Sequence, residues 1–129
     1  MEKKHQILLV DDSIETVEGL KNYLSQNYMI HTAFNGFDAL KVFEQNRKSF
    51  DLVITDIVMP DISGVALISM IKANSPETPI IAMTGLGHYP SKLATEAKAD
   101  TVLMKPFDLE DLDQSVSELL AGKTSRSEI

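Results

Sequence analysis

Ile7-Leu8-Leu9-Val10-Asp11-Asp12-Ser13 is the stretch that decides the fold. Four strongly apolar residues stop abruptly at two carboxylates and a serine. A continuous apolar run this short, bounded by a turn signal, reads as a β-strand buried on both faces. The next segment is helical: Ile14, Val17, Leu20 and Leu24 recur at helical spacing, with Asp12 or Ser13 placed to cap the first turn. Gly19 weakens that helix by roughly 1 kcal/mol without forbidding it.

The same alternation continues outward from there. Met29–Phe34 reads as a second strand, less apolar because of His31 and Thr32. Asp51–Thr55, Ile80–Met83 and Thr101–Met104 read as the third, fourth and fifth. Asn35-Gly36 opens a second helix with Leu40 and Phe43 inward. A third runs after Gly64 from Val65 to Ile71 and stops near Asn74-Ser75-Pro76. A short fourth is expected from Pro90 to Lys98. The fifth starts at Asp108, with Asp111 three residues on, and Leu109, Leu112, Val116, Leu119 and Leu120 form its apolar stripe. Gly122 is the expected helix stop, leaving residues 1–122 as one domain and Lys123–Ile129 as a short, polar, frayed tail. Five strands alternating with five helices predict an α/β fold: a doubly wound, five-stranded parallel sheet with helices on both faces and right-handed crossovers.

Composition agrees. A chain of 129 residues with 43% hydrophobic residues makes one domain with a sizeable core. No cysteine is present, which excludes a disulfide, a thiolate zinc site and a thiol nucleophile, and fits a reducing cytoplasm. The net charge of −7, from 19 acidic and 12 dispersed basic residues, argues against direct nucleic-acid binding. The apolar run after Met-Glu-Lys-Lys-His is too short for a signal peptide, and no later stretch approaches a membrane span.

Four of the five strands end in polar groups: Asp11 and Asp12, then Thr55-Asp56, then Thr84-Gly85, then Lys105-Pro106. In an open doubly wound sheet, ligands bind beyond the carboxyl ends of the strands, so these groups converge. Three carboxylates together need a cation, a proton or a lysine. A small set of oxygen ligands open to water suits Mg²⁺ or Mn²⁺. A metal, a lysine and a hydroxyl donor around one carboxylate are what phosphoryl transfer requires. Taken singly, each residue has a plain structural role: a helix cap, a loop acid, a turn threonine, a solvated lysine. Their joint placement carries the argument.

These pieces resemble a response-regulator receiver domain of two-component signalling, similar to the free-standing chemotaxis regulators. The matching residues are Leu9-Val10-Asp11-Asp12, Asn35-Gly36 with Ala39-Leu40, Asp51–Asp56, Met59-Pro60-Asp61, Ser63-Gly64, Ile80–Thr84 and Lys105-Pro106-Phe107, spread over roughly Gln6 to Leu120. The resemblance implies a flavodoxin-like three-layer sandwich with strand order 2-1-3-4-5. It implies that Asp56 accepts the phosphoryl group, and that Asp12, Asp56 and the Val58 backbone carbonyl bind the metal, with Asp11 acting through water. Thr84 and Lys105 are implied to bond phosphoryl oxygens, and the Lys105–Pro106 peptide bond to be cis. The implied partners are a sensor histidine kinase or phosphotransfer protein and an output protein met by the face of the fourth helix, fifth strand and fifth helix. The short tail favours a free-standing regulator.

Two positions depart from the family pattern. Val102 stands where an aromatic residue is usual, and Lys98 where glycine commonly precedes Ala99-Asp100. The first leaves no ring to move in the way the family's usual account of output requires. Val58 and Leu86 flank the path of a hydrolytic water in this family, and an apolar pair there predicts a long-lived phosphoryl-aspartate. Three alternatives compete with this reading. A Mg²⁺-dependent aspartyl-phosphate phosphohydrolase places its nucleophile as Asp-x-Asp after the first strand, where this chain has Asp-Asp-Ser. A flavodoxin-like cofactor binder needs a phosphate loop where two acids stand. A degenerate receiver acting only as an interaction module would not need the acids, threonine and lysine retained here. His5, His31 and His88 share no ligand spacing and read as structural or exposed, and the six methionines as gap-fillers.

Overall fold

The computed structural model describes residues 4–46, 49–85, 95 and 97–128. Its elements run β1 (Gln6–Val10), α1 (Ile14–Leu24), β2 (Met29–Ala33), α2 (Gly36–Asn46), β3 (Leu52–Asp56), α3 (Gly64–Asn74), β4 (Ile80–Thr84), β5 (Thr101–Met104) and a C-terminal helix (Leu109–Glu128). All strand pairs are parallel, in the order β2-β1-β3-β4-β5. The fold class and strand order are those expected. The expected fourth helix, from Pro90 to Lys98, lies almost wholly outside the described residues.

Strand periodicity sorts the apolar residues onto two faces. Ile7, Leu9, Leu52, Ile54, Ile81 and Met83 meet Val17, Leu20 and Leu24 of α1 and Leu112, Val116 and Leu120 of the C-terminal helix. Leu8, Val10, Val53, Ile80 and Ala82 meet Ala39 and Phe43 of α2 and Leu67, Ile68 and Ile71 of α3. Strands buried on both faces need no polar alternation, which is why their runs are continuously apolar. Val102 packs, half-buried, against the second of these clusters.

The structure decides some details left open and corrects others. Ser13, not Asp12, caps α1, its hydroxyl accepting the Thr16 N–H at 3.2 Å. Ile14 is 62% exposed and Leu109 40%, although both fall on the apolar spacing of their helices. Each sits in a first turn that overhangs the sheet's carboxyl edge, where the core has already ended. Gly122 does not stop its helix, whose backbone runs on to Glu128. Helical glycine lowers stability by about 1 kcal/mol but does not break the hydrogen-bond ladder as proline does. Met29, Met70 and Met104 are exposed; only Met59 and Met83 among the described methionines fill the core. His31 is structural: it bonds Gln6 across β1–β2 at 2.8 Å and meets Phe50 edge-on. No helix among the described residues is long and apolar enough to cross a membrane.

Candidate functional site

The ladders extend one step past three strands, and those steps deliver the site. Asp11 N–H donates to Ala33 O at 3.3 Å, Ile57 N–H to Met83 O at 3.0 Å, and Lys105 N–H to Thr84 O at 2.7 Å. Backbone pairing therefore fixes Asp11, the residue after Asp56, and Lys105 before any side chain is considered. The Lys105–Pro106 peptide bond is cis, as the resemblance implies.

Asp11, Asp12 and Asp56 each bring a carboxylate oxygen within 4.8 Å of the other two. Asp11 and Asp56 are buried and Asp12 is exposed. Asp11 is held at both oxygens. Oδ1 accepts the Ser13 N–H at 2.9 Å, and Oδ2 accepts Lys105 Nζ at 2.9 Å. Lys105 Nζ lies farther from Asp56 Oδ1, at 3.6 Å. The sequence expectation sets the lysine beside Asp56; the geometry gives its shorter contact to Asp11. Thr84 ends β4, fully buried, and is tied to Lys105 through that backbone bond. Val58 is 48% exposed, two residues beyond Asp56 at the rim. Leu86 and His88 lie outside the described residues.

Charge and burial act together on the central groups. Burial is the main force raising the Asp56 carboxyl above its ordinary value. The Asp11 and, less, Asp12 charges add to it, while Lys105 and the Ile57 N–H pull the other way. Burial alone would lower Lys105, but its bond to Asp11 and the Asp11 and Asp56 charges overcome that and hold its ammonium raised. One ammonium thus faces three carboxylates. The remaining charge, carried entirely on oxygen donors at close spacing with one acid open to solvent, fits a small hard divalent cation.

The loop after Asp56 is equally constrained. A Cβ on Gly64 would overlap the Asp56 carbonyl oxygen and crowd the Ile57 backbone. The Gly64 N–H donates to Ile57 O at 2.8 Å. Ser63 caps α3 through its hydroxyl, at 3.2 Å from Ala66 N. From sequence, Thr55 is a polar residue at the end of the third strand with no role assigned; in the structure its hydroxyl donates to the Asp56 carbonyl at 2.9 Å. The signal for it is a hydroxyl placed where burial calls for an apolar residue.

Comparison with known proteins adds an independent line. Residues 7–117 match the family model described as the response regulator receiver domain. The probable transcriptional regulator ycf27 of Guillardia theta is 34% identical over 122 residues, covering 93% of this chain and 47% of that protein. The crystal structure of a response regulator receiver domain protein from Clostridium thermocellum superposes with a TM-score of 0.88 at 30% identity, covering 93% of this chain and 97% of that one. The BeF3-activated DrrB receiver domain gives a TM-score of 0.81 at 32% identity, covering 92% and 98%. The chain spans half or less of the length of the curated relatives it matches.

Proposed function

This chain belongs to the response regulator receiver domain family, and from that premise we propose that it is a phospho-accepting switch in which Asp56 takes a phosphoryl group from a sensor histidine kinase or phosphotransfer protein. The observation that carries this reading is the convergence of Asp11, Asp12 and Asp56 within 4.8 Å of one another, with Lys105 Nζ 2.9 Å from Asp11 and 3.6 Å from Asp56.

In the transfer, an Asp56 carboxylate oxygen forms a bond to phosphorus as the bond from phosphorus to the donor's imidazole nitrogen breaks. Asp12, Asp56 and the Val58 carbonyl would hold Mg²⁺ or Mn²⁺, with Asp11 acting through water. The cation supplies charge neutralisation on the transferring oxygens. Lys105 faces the incoming charge from the β5 side, and Thr84 supplies a hydroxyl at the end of β4. Lys105 leaves Asp11 for a phosphoryl oxygen, the stronger acceptor. Lys105→Ala therefore keeps the fold and loses phosphorylation-dependent partner binding.

The family is a switch rather than a turnover enzyme, so the lifetime of the phosphorylated state matters. Val58 stands at the rim, and neither it nor Leu86 can hydrogen-bond a water attacking phosphorus. Self-dephosphorylation is accordingly slow, and a Val58→Asn, Leu86→Glu double variant decays faster. Output passes to a partner through the face that includes β5 and the C-terminal helix, where Met104 and Leu109 are exposed. Val102 packs in place where the family often has a moving ring, so the signal reaches that face by a route other than ring rotation.

The direct test is intact-mass spectrometry after incubation with acetyl phosphate and Mg²⁺. The wild type gains one phosphoryl group and Asp56→Asn gains none. Full labelling of Asp56→Asn overturns the assignment.

A further inference from the structure

The Asp56 peptide is held by groups that lie outside the carboxylate cluster. β1 and β3 pair only as far as Val10 opposite Thr55. The Asp56 carbonyl oxygen is the next acceptor along that edge, just past the last rung. The Thr55 hydroxyl donates to it at 2.9 Å, and Thr55 is fully buried. From the other side, Gly64 packs against the same carbonyl so closely that no Cβ fits, and its N–H holds Ile57 O at 2.8 Å.

We propose that Thr55 is a positioning residue for phosphoryl transfer, acting through the Asp56 carbonyl; this role rests on Asp56 being the acceptor. The peptide plane between Asp56 and Ile57 sets two directions at once. On one side it orients the Asp56 Cα and hence its carboxylate. On the other it sets the run of backbone that carries the Val58 carbonyl to the rim. A buried carbonyl that loses its donor rotates in search of another. Here Gly64 blocks one side, so the rotation is passed to Asp56 and to the Ile57-Val58 backbone. Positional tolerance at reacting centres is small, with displacements near 1 Å costing up to about a hundredfold in rate.

The distinguishing substitutions are Thr55→Val, which keeps the shape and removes the hydroxyl, and Thr55→Ser, which keeps the hydroxyl and removes a methyl. Two quantities are measured on folded protein: the Kd for Mg²⁺ alone, by titration, and the rate of labelling by acetyl phosphate. Thr55→Val is expected to weaken Mg²⁺ about fivefold and to slow labelling about tenfold, with Thr55→Ser within about twofold of the wild type in both. If the valine variant does not fold, Thr55→Ala against Thr55→Ser carries the same comparison. A hydroxyl that merely stabilises the strand would lower the melting temperature and leave both quantities unchanged. That result, with the wild type labelled normally, overturns the role of Thr55 alone. Equal losses in the serine and valine variants overturn it too, since they assign the effect to the methyl. A wild type that takes no phosphoryl group on Asp56 overturns the acceptor reading and this role with it.

Discussion

Each end of the sheet carries a lysine–aspartate bridge, and the two bridges do different work. At the amino end, Lys72 Nζ meets Asp100 Oδ2 at 2.8 Å. Lys72 also donates to Thr78 O at 2.8 Å and to Pro76 O at 3.4 Å, and Asp100 Oδ2 accepts the Ile80 N–H at 2.7 Å. One cation answers one anion, each also bonds the backbone, and the bridge fastens the entry to β4 against the entry to β5. At the carboxyl end, Lys105 meets Asp11 at 2.9 Å with Asp56 at 3.6 Å and Asp12 close by. There the charge does not balance. A balanced pair tied to the backbone behaves as structure, whereas a surplus of buried like charge is a site waiting for a counter-charge.

The sharpest way to break this comparison is the same chemical change at both ends. In metal-free buffer at neutral pH, Asp56→Asn should raise stability by about 1–2 kcal/mol, because it deletes one of two buried, mutually repelling carboxylates. Asp100→Asn should lower it by about 1 kcal/mol, since Lys72 loses its anion in a partly exposed bridge. Denaturant unfolding of the two variants decides the matter. The same sign for both would mean that the two bridges are energetically alike and that the charge surplus is not felt.

A second effect comes from the raised Asp56 carboxyl. Its ordinary value is 3.8, and the folded value lies above that. Between the two, the native state keeps a proton that the unfolded chain has released. Stability therefore falls as pH rises through this window, and the cost stays constant above it. The advantage of Asp56→Asn over wild type should accordingly be absent below 3.8, grow through the window and then level off. Lys105 acts in the opposite sense. Its raised value makes a stabilising contribution that is complete below 10.5 and is lost as pH climbs through the folded value. Adding Mg²⁺ should remove the Asp56 cost and raise the melting temperature of the wild type at neutral pH. An unchanged melting temperature at roughly millimolar Mg²⁺ would count against the carboxylate cluster as a cation site.

The sequence discloses the carboxyl-end site better than the amino-end bridge, for a physical reason. Strands buried on both faces carry few polar residues, and those need a partner within the protein, so the point where each apolar run stops marks the sheet's edge. Asp11, Asp56, Thr84 and Lys105 all stand at such stops. Lys72 and Asp100 lie in a helix and a turn, where charged residues are ordinary, and only folding brings them together. Which carboxylate Lys105 prefers is not legible in the sequence, because it depends on ångström differences among neighbours. Thr55 is visible as a polar strand end, but the partner of its hydroxyl is not, because that depends on local backbone geometry. The exposure of Ile14 and Leu109 is hidden because spacing shows which face a residue shares, not whether the core reaches that far.

The smallest effect belongs to two backbone positions, again one at each end. Asp61 comes after β3 with φ 66°, and Lys98 precedes β5 with φ 79°. Both are in the left-handed region, which costs an L-residue about 1–2 kcal/mol. Asp bears that cost more easily than Lys, because its short polar side chain can hydrogen-bond locally. Glycine removes the strain but loses more entropy on folding, by about 0.5–1 kcal/mol. Lys98→Gly should therefore stabilise the fold by about 0.5–1 kcal/mol, and Asp61→Gly by less. Lys98→Ala supplies the control: it removes the exposed ammonium and keeps the strain, so it should change little. Lys98→Gly should leave Mg²⁺ binding and labelling of Asp56 untouched, since the Lys98 turn feeds the structural bridge through Asp100. A gain from Lys98→Ala equal to that from Lys98→Gly would mean that charge, and not backbone strain, is what the lysine costs.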